Sequence, residues 1–292
     1  MNEGVKVGSQ FTARRSAFRA LHESGCFVIP NPWDVGSARY LQHLGFKALA
    51  TTSAGFAFSQ GLPDSDAAVS LDQTLEHVAE ISAAVDLPVN ADFSSGYGQD
   101  PAGVAASVAR CVATGAAGLS IEDSTGDPAH PLFDLPVAIA RLLAARQAID
   151  NSGSDVLLTG RAECYHVGHP DAFRESLRRL QAYAEAGADV LFAPGVRKPE
   201  EIKALVEAVH PKPFNLLVVS DIGMSVADIA EFGVRRISVG GALALAGWTG
   251  FVKAAKALQA NGSFAGLADL TPYPEINNFL AADFRARQKL ES

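Results

Sequence analysis

Short β-branched and apolar runs recur eight times along this chain, each separated from the next by a longer segment of mostly helical periodicity. The runs are residues 26–31, 48–54, 88–93, 118–123, 156–163, 189–195, 214–219 and 235–241. Apolar residues spaced by three and four mark helices over 70–85, 101–114, 136–149, 171–186 and 199–209. Strictly alternating strands and helices imply βα units and a parallel sheet. Eight such units are what a closed (β/α)8 TIM barrel needs, giving an α/β fold. An open doubly wound sheet is the alternative, but the glycine-rich first turn that usually marks one is missing.

Helix ends carry their own signals. Gly115, Gly187 and Gly233 fall where C′ glycines belong, and Asp100 before Pro101 reads as an N-cap followed by proline at the first helical position. Asp221 and Ser225 sit at the start of a seventh helix. A further helix precedes the first strand, near residues 11–23. Residues 242–260 form a helix after the last strand, and a tail follows over 271–292. With no low-complexity linker, residues 1–292 read as a single barrel domain.

The apolar fraction of 48% supplies a sizeable core. A formal net charge of −8 without a Lys/Arg cluster argues against nucleic acid and anionic membranes as partners. Cys26, Cys111 and Cys164 are scattered, odd in number and without metal-ligand spacing, which suits a reducing cytoplasmic setting. The polar first fifteen residues lack a signal-peptide apolar region, and no apolar run reaches the ~20 residues of a membrane span.

In barrels of this class the chemistry lies at the carboxyl ends of the strands. There strand 3 carries Asn90 and Asp92, strand 4 carries Glu122, and strand 5 carries Arg161 and Glu163. Side chains alternate along a strand, so Asn90 shares a face with Asp92, and Arg161 with Glu163. Three acids gathered on one rim need compensation. A hard divalent cation provides it, since Mg²⁺ takes oxygen ligands and needs only one or two protein carboxylates beside the substrate's own oxygens. Arg161 offers a planar fork to a substrate carboxylate. The alternative is an ion-pair network that only caps the barrel.

Other residues carry two readings each. His130 is a gate or general acid, or a plain loop histidine; His166 reads as a surface histidine. Cys164 points away from the Arg161/Glu163 face by parity. Gly240 and Gly241 suggest a phosphate cup. Asn215 either contacts ligand or bonds within the barrel, and Trp33 either floors the pocket or packs.

Taken in order, these segments resemble the isocitrate lyase/phosphoenolpyruvate mutase superfamily. Asn90-Ala91-Asp92-Phe93-Ser94-Ser95-Gly96-Tyr97-Gly98 resembles its Asp-Ala-Asp-Thr-Gly-Tyr-Gly, Ile121-Glu122-Asp123 its Ile-Glu-Asp, and Thr159-Gly160-Arg161-Ala162-Glu163 its Ala-Arg-Thr-Asp-Ala. Thr51-Thr52-Ser53-Ala54-Gly55 with Gly61-Leu62-Pro63-Asp64 resembles the segment after strand 2, and Asn31-Pro32-Trp33-Asp34 with Ser37-Ala38-Arg39 that after strand 1. The resemblance implies a Mg²⁺ (or Mn²⁺) enzyme that chelates a small carboxylate and forms a pyruvate-like enolate as a C–C or P–C bond breaks. It implies that Asp92, Glu122 and Asn90 hold the metal and that Arg161, with Glu122 and Glu163, serves catalysis. It also implies that Thr52, Ser53 and Ala54 form an oxyanion hole beside Asp64 and Asn215, and that subunits exchange the 242–260 helix in a dimer or tetramer.

The chain also departs from that pattern. Asn90 replaces an aspartate, and an amide oxygen ligates Mg²⁺ less strongly. The lyase loop Lys-Lys-Cys-Gly-His is absent from residues 124–134. Pro194 stands near the position where the mutase has histidine and the lyases glutamate. Carbon–carbon cleavage of a 2-oxo or 2-hydroxy carboxylate, decarboxylation above all, demands least of what is missing. A phosphonomutase or phosphonopyruvate hydrolase and a non-catalytic oxo-acid-binding barrel are the competing expectations.

Overall fold

The computed structural model describes residues 3–65 and 67–291. Residues 1, 2, 66 and 292, part of the expected 1–292 domain and 271–292 tail, lie outside them. Eight parallel strands form one sheet: β1 (Phe27–Ile29), β2 (Leu49–Ala50), β3 (Val89–Asp92), β4 (Gly118–Glu122), β5 (Leu157–Arg161), β6 (Val190–Phe192), β7 (Phe214–Leu217) and β8 (Arg236–Ser238). The ladder runs β2-β3-β4-β5-β6-β7-β8-β1, and Ala50 N–H donates to the Pro30 carbonyl across the remaining gap, so the sheet curls into a (β/α)8 barrel. Each expected strand is present but shorter, because the barrel's tilt lets only the central residues pair.

The helices are α1 (Glu3–Leu21), α2 (Val35–His43), α3 (Ser53–Ser59), α4 (Leu71–Ala84), α5 (Pro101–Ala113), α6 (Leu135–Asn151), α7 (Ala172–Glu185), α8 (Pro199–Val209), α9 (Val226–Ala230), α10 (Ala242–Asn261) and α11 (Tyr273–Glu291). Their starts follow local chemistry. Asp100 caps α5 through Gly103 N–H, and Ser70 with Gln73 closes a capping box on α4. The expected 271–292 tail is largely helix α11. It lies on α2, where Phe279 packs edge-on against Tyr40 and Arg39 pairs with Asp283 at 3.4 Å.

One core lies between strands and outer helices, built around residues such as Phe93, Leu119, Leu142 and Leu191. A second plugs the amino end of the barrel, where Phe18 of α1 meets Ile29, Ala50, Leu157 and Val190. Two arginines pin α1 there by donating to carbonyls at or just beyond the ends of the outer helices: Arg15 to Val112 and Ala116, and Arg14 to Ser82. With the amino end sealed, the carboxyl end is left for ligand.

Candidate active site

Asp92, Glu122 and Arg161 are the last residues of three consecutive strands, and the ladder pairs Glu122 directly with Arg161. Their side chains therefore converge. Arg161 Nη1 lies 3.3 Å from Asp92 Oδ1 and 3.2 Å from Glu122 Oε2, while its Nε donates to Glu163 Oε1. Three carboxylates surround one guanidinium, a formal excess of two negative charges. Burial alone would lower the Arg161 pKa, but Glu122, Glu163 and Asp92 outweigh it and hold the guanidinium firmly charged. Burial likewise works against ionised Glu163, yet Arg161 and His166 hold its carboxyl below the ordinary value.

Asp92 is fixed on two more sides. Its backbone N–H donates to Thr51 Oγ1, and its Oδ2 accepts the Ser53 N–H at 2.9 Å. Thr52 caps α3 by accepting from Gly55 N–H. Of the expected oxyanion-hole donors, the Ser53 N–H is thus engaged by Asp92. Glu163 is held from behind by Asp123, which accepts its N–H at 2.8 Å and is itself buried against Arg179 and Tyr183.

A cavity of about 220 Å³ opens beside this cluster. Thr52, Ser53, Ala54, Asp64, Asn90, Asp92, Arg161 and Asn215 all line it. Glu122 and Glu163 stand behind Arg161 rather than on the wall. At the floor, Asn215 accepts from Arg236 Nε at 2.7 Å and donates to Ser238 Oγ at 2.9 Å, so it bonds within the barrel and still faces the cavity. Burial lowers the Arg236 pKa, and among the described residues its hydrogen-bond partners are neutral, Asn215 and Thr159. Sequence reading missed Arg236, although a charged residue inside an apolar strand, in parity with Ser238, is itself a signal.

Several open readings resolve. The backbone N–H groups of Val239 and Gly240 both donate to Asn31 Oδ1, so this turn does not offer them to a phosphate. Cys164 is buried and its thiol is pushed up to about 12, chiefly by burial, which leaves no thiolate to act as nucleophile. His130 is exposed, leans on Asp127 and does not line the cavity. Trp33 flanks a shallow surface cleft with Trp248 and Phe251 instead. His166 is a surface residue, as expected, with 47% of its side chain exposed, and it also lines the cavity, its Nδ1 3.0 Å from Glu163 Oε2.

The donor set fits a hard divalent cation. Among the described residues no three His, Cys, Asp or Glu side chains converge as a closed metal cage. Mg²⁺ does not require one. Asp92 and Glu122 keep 18% and 19% of their side chains exposed, and Asn90 Oδ1 is a buried acceptor with no partner among the described residues.

The phosphoenolpyruvate phosphomutase family model matches residues 18–259. A solved structure from Burkholderia cenocepacia J2315 is 41% identical, with TM-score 0.89 over 93% of this chain and 98% of its own. An oxaloacetate decarboxylase of Paraburkholderia xenovorans is 30% identical over 77% of this chain and 74% of its own. The structure of oxaloacetate acetylhydrolase in complex with the product oxalate is 26% identical, with TM-score 0.82 over 97% and 99% of the two chains. The chain is a member of the phosphoenolpyruvate phosphomutase family, within the isocitrate lyase/phosphoenolpyruvate mutase superfamily of lyases and mutases.

Proposed function

We propose that this enzyme cleaves a carbon–carbon bond of a small 2-oxo or 2-hydroxy carboxylate through a pyruvate-like enolate, with Mg²⁺ (or Mn²⁺) as cofactor. The observation that carries the reading is the cluster of Asp92, Glu122 and Glu163 around Arg161 at the mouth of a closed-bottomed cavity. Asp92 with the Asn90 oxygen would hold the cation from the cavity wall and Glu122, behind Arg161, would hold it through water; when bound it supplies Lewis-acid stabilisation of enolate charge. Arg161 binds the substrate carboxylate, and Glu163 keeps its fork aimed. Thr52, Ser53 and Ala54 border the oxo end, Asp64 the mouth and Asn215 the floor.

The relatives support the substrate class, one being an oxaloacetate decarboxylase and another an acetylhydrolase that yields oxalate. A phosphate cup at the turn after β8 is disfavoured because Asn31 Oδ1 accepts the Val239 and Gly240 N–H groups. Among the described residues no helix is long and apolar enough to cross a membrane, and the cysteines are free, which supports a cytoplasmic setting. The test is product release with Mg²⁺ and with chelator: pyruvate from oxaloacetate, methylisocitrate and phosphonopyruvate, and glyoxylate from isocitrate. Metal-dependent release from a carbon acid supports the reading. Release from phosphonopyruvate alone moves it to P–C chemistry. Oxalate binding without any turnover leaves the binding barrel.

A further inference from the structure

We infer that His166, oriented by Glu163, is the group that delivers a proton to the carbon of the enolate. The inference rests on the functional reading above and supplies the proton donor that reading lacks.

An enolate left by bond cleavage must be protonated at carbon before product leaves, so the site needs a proton-bearing side chain on the cavity wall. Its other polar wall residues serve poorly. Asp92 is held by Ser53 N–H and Arg161, and Asp64 sits exposed at the mouth. Arg161 is held firmly charged by three carboxylates, and Arg236 is buried at the floor with its N–H groups donated to Asn215 and Thr159. The Cys164 thiol is buried, and His130 lies off the cavity.

His166 has the required arrangement. Its Nδ1 lies 3.0 Å from Glu163 Oε2, and Glu163 is 4% exposed, its other oxygen bound to Arg161 and its N–H bound to Asp123. A buried carboxylate fixes the ring's orientation and places the first proton on Nδ1. Nε2, on the opposite edge, makes no hydrogen bond among the described residues and is the atom left to exchange a proton. The loop beneath it is tied by Val167 N–H to the Glu163 carbonyl, His169 N–H to the Cys164 carbonyl and Tyr165 OH to Glu201. His166 also borders a second cavity of about 280 Å³ beside Val196 and Arg197, so it stands between the Arg161 pocket and the space where a departing fragment would fit.

The step balances without a further reactant. As the bond from C3 of the oxo acid breaks, its electron pair stays on the enolate and the fragment leaves, as CO₂ when that fragment is a carboxylate. C3 then takes the proton from Nε2–H, forming C–H and breaking N–H. The neutral imidazole regains a proton from water, since 47% of its side chain is exposed.

The experiment measures deuterium exchange of the pyruvate methyl group by NMR in D₂O with Mg²⁺, and oxalate binding to the same samples by calorimetry. Wild type is expected to do both. His166→Gln is expected to slow exchange at least about 100-fold while changing oxalate affinity less than about threefold. His166→Ala is expected to regain exchange when imidazole is added, which a merely structural role would not produce. Exchange in His166→Gln within threefold of wild type overturns the inference. So does a wild type that binds oxalate but exchanges no protons. A wild type that binds no oxalate in the presence of Mg²⁺ overturns the functional reading itself, and is distinguishable on that ground.

Discussion

Asn90 faces the cavity two residues before Asp92, with an amide oxygen that no described group satisfies. A carboxylate there would add a charged ligand for the cation, so Asn90→Asp should bind Mg²⁺ about tenfold more tightly by calorimetry. Unchanged affinity would remove Asn90 from the metal site. At Arg161 the geometry of the fork matters more than the charge. Arg161→Lys keeps a cation beside three acids but loses the planar pairing, and should lower kcat/KM for the substrate by about 100-fold with little change in thermal stability. Both residues were legible in sequence because strand parity fixes which side chains share a face. His166 was not: it lies beyond the end of β5, where no period applies, and only the loop's fold turns it back onto Glu163.

Two elements hold the site in place. The segment joining β3 to α5 runs so close to the helix that a Cβ at Gly98 would lie 2.1 Å from Val104 N, a backbone atom that cannot yield. Gly98→Ala should therefore cost roughly 3 kcal/mol in denaturant unfolding and weaken the position of Asp92. Helix α1 seals the opposite end with His22, whose Nδ1–H donates to the Phe18 carbonyl while Nε2 has no partner among the described residues. Burial, helped by the charge of Arg236, pushes its pKa from 6.5 down to about 3. The folded state thus favours neutral His22 and binds fewer protons than the unfolded chain between those values. Its stabilising contribution is complete above pH 6.5 and is lost as pH falls toward 3, with a slope of up to about 1.4 kcal/mol per pH unit. Melting temperature against pH should flatten across that window in His22→Leu. An unchanged slope would assign the acid sensitivity to other groups.

At the scale of the molecule, α10 presents Leu245, Trp248, Phe251 and Leu258 to solvent, and Phe264 and Leu270 extend the apolar surface. Exposed apolar area of this kind marks an association face. We propose that it is covered by a second copy of the chain in a dimer or tetramer built on exchange of α10. Trp248→Glu with Phe251→Glu should convert the assembly to monomers in light scattering. A wild type that is already monomeric at micromolar concentration would refute the proposal. The sequence by itself determined the number of βα units, the parallel order, and the delivery of Asp92, Glu122 and Arg161 to one rim, because alternation and helical period are local properties of the chain. Only the tertiary structure decided that Glu122 and Glu163 stand behind Arg161, that Asn31 fills the glycine turn after β8, and that His166 and Arg236 face the cavity. Those relations join residues far apart in sequence or on irregular loops, and they exist only once the barrel has closed and its loops have folded over the rim.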